Sequence, residues 1–151
     1  MYDSTIDAKL HIEKIRDVFT SLVIPELTKR AQTHDNSKLE NPEKETYDKY
    51  IPKLKEVKYG TPEYNAIKEE MAEGGLKHHY LVNRHHPEHF ENGVKDMTLF
   101  DIVEMYFDWY AASMRSDTGF EKGLLMNKDR YDISDDLYQI FVNTYNEYLK
   151  K

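Results

Sequence analysis

At 151 residues with no cysteine, the chain is long enough to bury a core without staples, and it has no means of forming disulfides, thiolate metal sites or cysteine nucleophiles. Imidazole and carboxylate are left as metal ligands. Its 21 basic and 28 acidic residues give −7 with histidine neutral, a field that disfavours extended nucleic-acid binding but leaves room for a small anion held by a metal. The opening "MYDSTIDAKL" has no basic segment followed by an apolar run, and no window approaches the apolar length of a bilayer span. A soluble, unexported, cytoplasmic protein without membrane contact is expected.

In chain order, the sequence carries helical signals and no convincing strand alternation. From about Ser4 to Gln32, Ile6, Leu10, Ile15, Val18, Phe19, Leu22, Val23 and Leu27 recur at helical spacing, with a kink or break expected at Pro25. His11 lies in this helix. "NPEKETYDKYIPKLKEV" opens with Asn41 as a cap and Pro42 at the first helical position, and is expected to split into short helices at Pro52. Thr61 and Pro62 repeat the start signal for a helix running through Ile67, Met71 and Leu76. Gly74 and Gly75 either weaken that helix or mark a close approach by another one. Thr98 with Asp101 resembles a capping box, and "LFDIVEMYFDWYAASMR" behind it is the most apolar helix, expected at the centre. "SDTGFEKG" and the residues after it read as a loop. Ser134 then caps a last helix, about residues 134–149, whose Leu137, Ile140, Phe141, Tyr145 and Leu149 form a packing stripe. The expected architecture is all-α, a single-domain helical bundle of about five main helices.

Two features point to chemistry. Asp101, Glu104 and Asp108 fall on one narrow arc of a helix that is apolar almost all round, and carboxylates on such a helix need a partner or a metal. Asp101 reads as the cap, while Glu104, a candidate base or ligand, and Asp108 either sit on a solvated strip, pair with lysines or meet a metal. The other feature is the concentration of histidine. The chain has seven, with His34 beside Asp35 in "THDNSK", and with His78, His79, His85, His86 and His89 crowded into "LKHHYLVNRHHPEHF". Adjacent ligands such as His34 and Asp35 can share an ion only near a helix end or bend, and the surrounding turn formers supply one. Lys38 and Ser37 offer a cation and a hydroxyl beside an anion bound there.

"HHPEH" formally matches an inverted zinc-protease pattern, but Pro87 interrupts the helix that such a motif requires. On a continuous helix His79 and His86 would stand about 10 Å apart along the axis, too far for one ion with bonds of roughly 2.0–2.1 Å. Either they serve different positions, or the helix ends near Asn83 and folds the second group back, as Pro87 favours. His78 reads as packing and His89 as surface. Glu88 is a candidate to orient a histidine or move protons.

In this order a helical histidine, a His-Asp pair, further histidines and a helix aspartate resemble the HD-domain superfamily of metal-dependent phosphohydrolases. "HDNSK", "LKHHYLVNRHHPEHF" and "EMYFDW" look more closely like a family of small, largely phage-associated HD-like proteins of unassigned function. The resemblance covers about residues 8–116. It implies a helical bundle with one or two divalent ions (Mn, Fe, Zn, Co, Ni or Mg) held by His11, His34, Asp35 and Asp108, with His79 and His85 or His86 serving a second ion. The implied reaction is hydrolysis of a nucleotide or another small phosphate ester through metal-bound hydroxide, with Lys38 and Arg115 holding the phosphate. If the chain is phage-encoded, the site of action is the host cytoplasm; assembly into a homo-oligomer is left open. Two alternatives remain: an HD-type di-iron oxygenase, because such enzymes share the ligand order, and a non-catalytic phage or bacterial protein-binding factor using an acidic surface with twelve tyrosines.

Overall fold

The computed structural model describes residues 3–58, 60–115 and 117–150. Among these residues every regular element is helical and there is no strand, as the all-α reading expects. The chain divides into two compact units, Met1–His34 and Asp35–Lys151.

The first unit contains α1 (Thr5–Val18), a π-helical turn (Phe19–Val23) and α2 (Ile24–Thr33). Pro25 sits in the first turn of α2. Its missing N–H leaves the Ser21 carbonyl without its usual helical donor, and the wider turn occupies the place where that bond is lost. No described residue of this unit is buried.

The second unit contains α3 (Glu43–Glu56), α4 (Pro62–Met71), a π-helical turn (Ala72–Leu76), α5 (Lys77–Val82), α6 (Leu99–Ser113), α7 (Phe120–Arg130) and α8 (Asp135–Thr144), continued by a π turn (Tyr145–Leu149). Short 3-10 turns cover Asn36–Leu39, Pro87–His89 and Gly93–Asp96. Helix α3 corrects the expectation of a break, since it runs through Pro52. Pro52 and Asp48, whose carbonyl loses its donor, are both exposed, at the surface where a lost helical bond costs least. Asn41 does not cap α3; its amide donates to Glu45 Oε1 at 2.8 Å.

Helix α7 occupies a stretch whose pattern reads as loop. Gly119, at φ 76°, turns the chain into it, and Phe120 and Leu124, one turn apart, are buried. The remaining caps follow the sequence. Thr61 accepts from the Tyr64 amide, Ser134 from the Leu137 amide, and Thr98 with Asp101 forms a reciprocal capping box.

Two apolar clusters hold the second unit. Tyr50, Met71 and Leu76 join α3, α4 and the start of α5, with Tyr47, Ile67 and Tyr80 packed against them. Met105, Tyr106, Phe120, Leu124, Ile133 and Phe141 join α6, α7 and α8, which makes α6 central as expected. Ile140 departs from the expected stripe of the last helix: it is 58% exposed, while Leu137, Tyr145 and Leu149 pack against the core.

Candidate metal centre

The site grows from a close helix approach. Gly75 lies so near α3 that a Cβ there would stand 2.6 Å from Glu43 Cα, and its amide donates to Thr46 Oγ1 at 2.7 Å. Both readings of the glycine pair are realised: Gly74, at φ −108° and ψ −125°, kinks the chain between α4 and α5, and Gly75 permits a close approach. It carries the start of α5 against the start of α3, where the fully buried Glu43 carboxylate meets both adjacent histidines. Oε1 lies 2.7 Å from His78 Nδ1, and Oε2 lies 2.8 Å from His79 Nδ1. Ser37 donates to the same Oε2 at 3.0 Å and accepts from Asn83 Nδ2 at 2.8 Å. Ser37 therefore belongs to the frame behind the histidines, where the sequence suggested a place beside an anion.

Helix α5 ends at Val82, Asn83 and His86 are extended, and Pro87 opens a 3-10 turn. The chain folds back as Pro87 favoured. His79 Nε2 and His86 Nε2 come within 2.7 Å, a distance that an unbroken helix forbids. With Nδ1–H of His79 directed at Glu43, its Nε2 is the electron-pair donor and His86 Nε2–H donates to it in the metal-free tautomer. Burial, helped by the nearby Lys38 ammonium, holds the His79 pKa below the ordinary imidazole value against the pull of Asp35 and Glu43.

Asp35 completes the group. It follows His34, where α2 has ended, and has left-handed backbone at φ 57°, a conformation Asp tolerates better than most residues. Its Oδ1 stands 3.5 Å from His79 Nε2 and 3.4 Å from His85 Nε2, while Lys38 Nζ pairs with Oδ2. One donor atom from each of Asp35, His79, His85 and His86 lies within 4.8 Å of the others. Two donors on one tetrahedral ion with bonds of roughly 2.0–2.1 Å are separated by about 3.4 Å. The Asp35 distances match that edge, and an imidazole-carboxylate set suits zinc, iron, manganese or a related ion.

The arc on α6 faces the returning segment. Asp101, fully buried, takes Arg84 at 3.0 and 3.2 Å while serving the Thr98 cap. Glu104 Oε1 stands 3.2 Å from His85 Nδ1, and a carboxylate oxygen of Asp108 lies within 4.8 Å of a ring nitrogen of His85. Each buried histidine of the cluster thus has a carboxylate behind Nδ1, the arrangement that fixes ring and tautomer in metal sites. His11, exposed on α1, and His34, at the carboxyl end of α2, belong to the first unit; the four-residue cluster forms within the second.

Other expected residues are placed as follows. Lys38, Asp108 and Arg115 line a cleft of about 450 Å³ together with Asp35, His79 and His86. Glu88 has other partners than the histidines: its Oε1 accepts from Arg130 Nη2 at 2.9 Å and Tyr131 Oη at 3.0 Å. His89 Nδ1 meets the Tyr80 carbonyl at 3.1 Å. Sequence reasoning missed Glu43 and Arg84. Glu43 looked like an ordinary first-turn acid, and the one hint of its role was the glycine pair that lets another helix reach it.

These observations define an all-α protein with a buried histidine-carboxylate cluster open to a cleft. The chain belongs to the family of unknown function DUF5662, whose model matches residues 2–147. No curated protein and no solved structure matches it. Among the described residues no helix is long and apolar enough to cross a membrane.

Proposed function

We propose that the protein is a metal-dependent phosphohydrolase acting on a nucleotide or another small phosphate ester. The observation that carries this reading is the convergence of Asp35, His79, His85 and His86 on one point, with Glu43 and Glu104 behind the two buried rings. The resemblance to HD-domain phosphohydrolases, carried in part by the same residues, supports the same reading. A divalent ion in that cluster would acidify bound water and offset phosphate charge.

The chain's own residues do the rest. Glu43 and Glu104 keep the His79 and His85 Nδ1–H groups turned outward, so that each Nε2 presents an electron pair. Lys38 and Arg115, on the wall of the same cleft, receive the phosphate oxygens. Overall, water adds to phosphorus, the bond from phosphorus to the leaving oxygen breaks, and the water proton ends on that oxygen. Asp108, whose carboxylate lies within 4.8 Å of a ring nitrogen of His85, holds the proton on the way.

The test is metal analysis of protein purified without chelators, followed by a screen of mono-, di-, tri- and cyclic nucleotides with manganese. Stoichiometric metal that His79→Ala and Asp35→Ala lose without unfolding, together with phosphate release from at least one nucleotide, is the expected result. If no metal copurifies, and added divalent ions neither bind nor change stability, the reading fails. Oxygen uptake with iron in place of phosphate release would assign the oxygenase alternative.

A further inference from the structure

The cleft that holds the metal cluster continues past it. Lys68, Tyr80 and Arg130 line this cleft together with the cluster residues Asp35, His79 and His86, and they also line a second cavity to which Glu69 and Glu88 contribute. Lys68, on α4, is the unusual member. Its side chain is half-buried, its ammonium donates to Tyr80 Oη at 3.4 Å, and it forms no ion pair with a carboxylate among the described residues. A lysine drawn out of water is ordinarily paired, because the charge otherwise costs free energy.

The surroundings deepen the need for an anion. Burial, followed by the Arg130 and Lys38 charges, pushes the Lys68 pKa below its ordinary value, and only Glu88 among the principal influences pulls the other way. Glu88 is itself engaged by Arg130 and Tyr131. The Tyr80 phenol lies beside the ammonium and lines the same cleft. Its ring also packs 5.0 Å from that of His86, so Tyr80 contacts both the ammonium and a member of the cluster.

We infer that Lys68, with Tyr80 and Arg130, forms an anion subsite that holds a second phosphate group of the ligand whose first phosphate lies at the Asp35–His79–His85–His86 cluster. The substrate class is therefore a linear polyphosphate ester such as a nucleoside polyphosphate, in preference to a monophosphate. The assignment of the first phosphate rests on the metal-hydrolase reading; the anion subsite itself does not.

The experiment is calorimetric titration of the full chain with inorganic tripolyphosphate and with orthophosphate, with and without saturating manganese. The proteins compared are wild type, Lys68→Met and Lys68→Arg. Manganese-loaded wild type is expected to bind tripolyphosphate at least tenfold more tightly than orthophosphate. Lys68→Met should lose that tenfold while keeping manganese affinity within twofold, and Lys68→Arg should restore most of it. Equal affinity for the two anions, or tripolyphosphate binding unchanged in Lys68→Met, overturns the inference. If manganese does not bind wild type, the metal reading has failed, and the metal-free arm decides the subsite alone: binding of tripolyphosphate that Lys68→Met abolishes upholds it, and no binding overturns it.

Discussion

Glu43 Oε2 and His79 Nδ1 meet at 2.8 Å across 36 residues of sequence, both side chains buried. A carboxylate in that position sets which ring nitrogen carries the proton, and so which one faces the cluster. Glu43→Gln keeps the shape but weakens the acceptor and removes the charge. Metal affinity, measured by competition with a chromogenic chelator, should fall by roughly 10–100-fold, while the helical circular dichroism stays that of wild type.

Gly75 permits this contact by having no side chain. The Cβ of Gly75→Ala would meet backbone of α3 at 2.6 Å and Thr46 Cβ at 2.9 Å, and backbone cannot rotate away. Chemical denaturation should show a loss of about 1–3 kcal/mol, accompanied by weaker metal binding because Glu43 and His79 are driven apart. Gly123→Ala is the contrasting case. Its Cβ meets nothing within 4 Å inside α7, so the same measurement should give a gain of roughly 0.4–1 kcal/mol.

Asp35 combines a ligand position with left-handed backbone. Asp35→Gly and Asp35→Ala should both abolish metal binding, and both lose the Lys38 pair. Only alanine keeps the backbone penalty. In metal-free protein Asp35→Gly should therefore be more stable than Asp35→Ala by roughly 1 kcal/mol, a difference that equilibrium unfolding in urea reads directly.

The Arg84–Asp101 pair lies next to His85 and joins the returning segment to α6. Asp101 is fully buried and Arg84 about half exposed. Arg84→Ala removes the guanidinium that meets both oxygens of the buried Asp101 carboxylate, at a cost of about 1–3 kcal/mol. Asp101→Asn in the same protein should recover part of that loss, because it removes the stranded charge while retaining an acceptor for the cap. The two-step unfolding series checks the order Arg84→Ala below the double variant below wild type.

Lys68 gives a pH dependence of definite sign. Its folded-state pKa is depressed by burial first and then by neighbouring cations, whereas the unfolded side chain keeps a value of about 10.4. Below the folded value both states are protonated and the folded protein bears the full penalty. As pH rises through the folded value the native form sheds its proton first, and the lost stability returns. Thermal unfolding of metal-free protein should show Lys68→Met more stable than wild type at pH 7, with the gap narrowing steadily toward pH 10.

Much of this site was legible from local pattern. The carboxylate arc on α6 follows from spacing alone, and its members do turn to Arg84 and His85. Pro87 correctly implied that His86 folds back toward His79, because a residue without an amide proton cannot continue the helix. The turn at His34-Asp35 was legible from the turn formers around it. Where local pattern misled, solvent or packing decided otherwise. Pro52 stays within α3 at an exposed position, and α7 forms because Phe120 and Leu124 find the α6–α8 core despite a weak stripe.

The sequence by itself determined the helical class, the caps of α4, α6 and α8, and the supply of imidazole and carboxylate, since these depend on periodicity and on residue chemistry within a turn or two. Only the tertiary structure decided that Glu43 stands behind His79, that Glu104 stands behind His85, and that Lys68 faces the continuation of the cleft. Those relations join residues from different helices, and the approach of α3 to α5 depends on the missing side chain at Gly75. Contacts of that kind have no period along the chain and become visible only when the helices are packed.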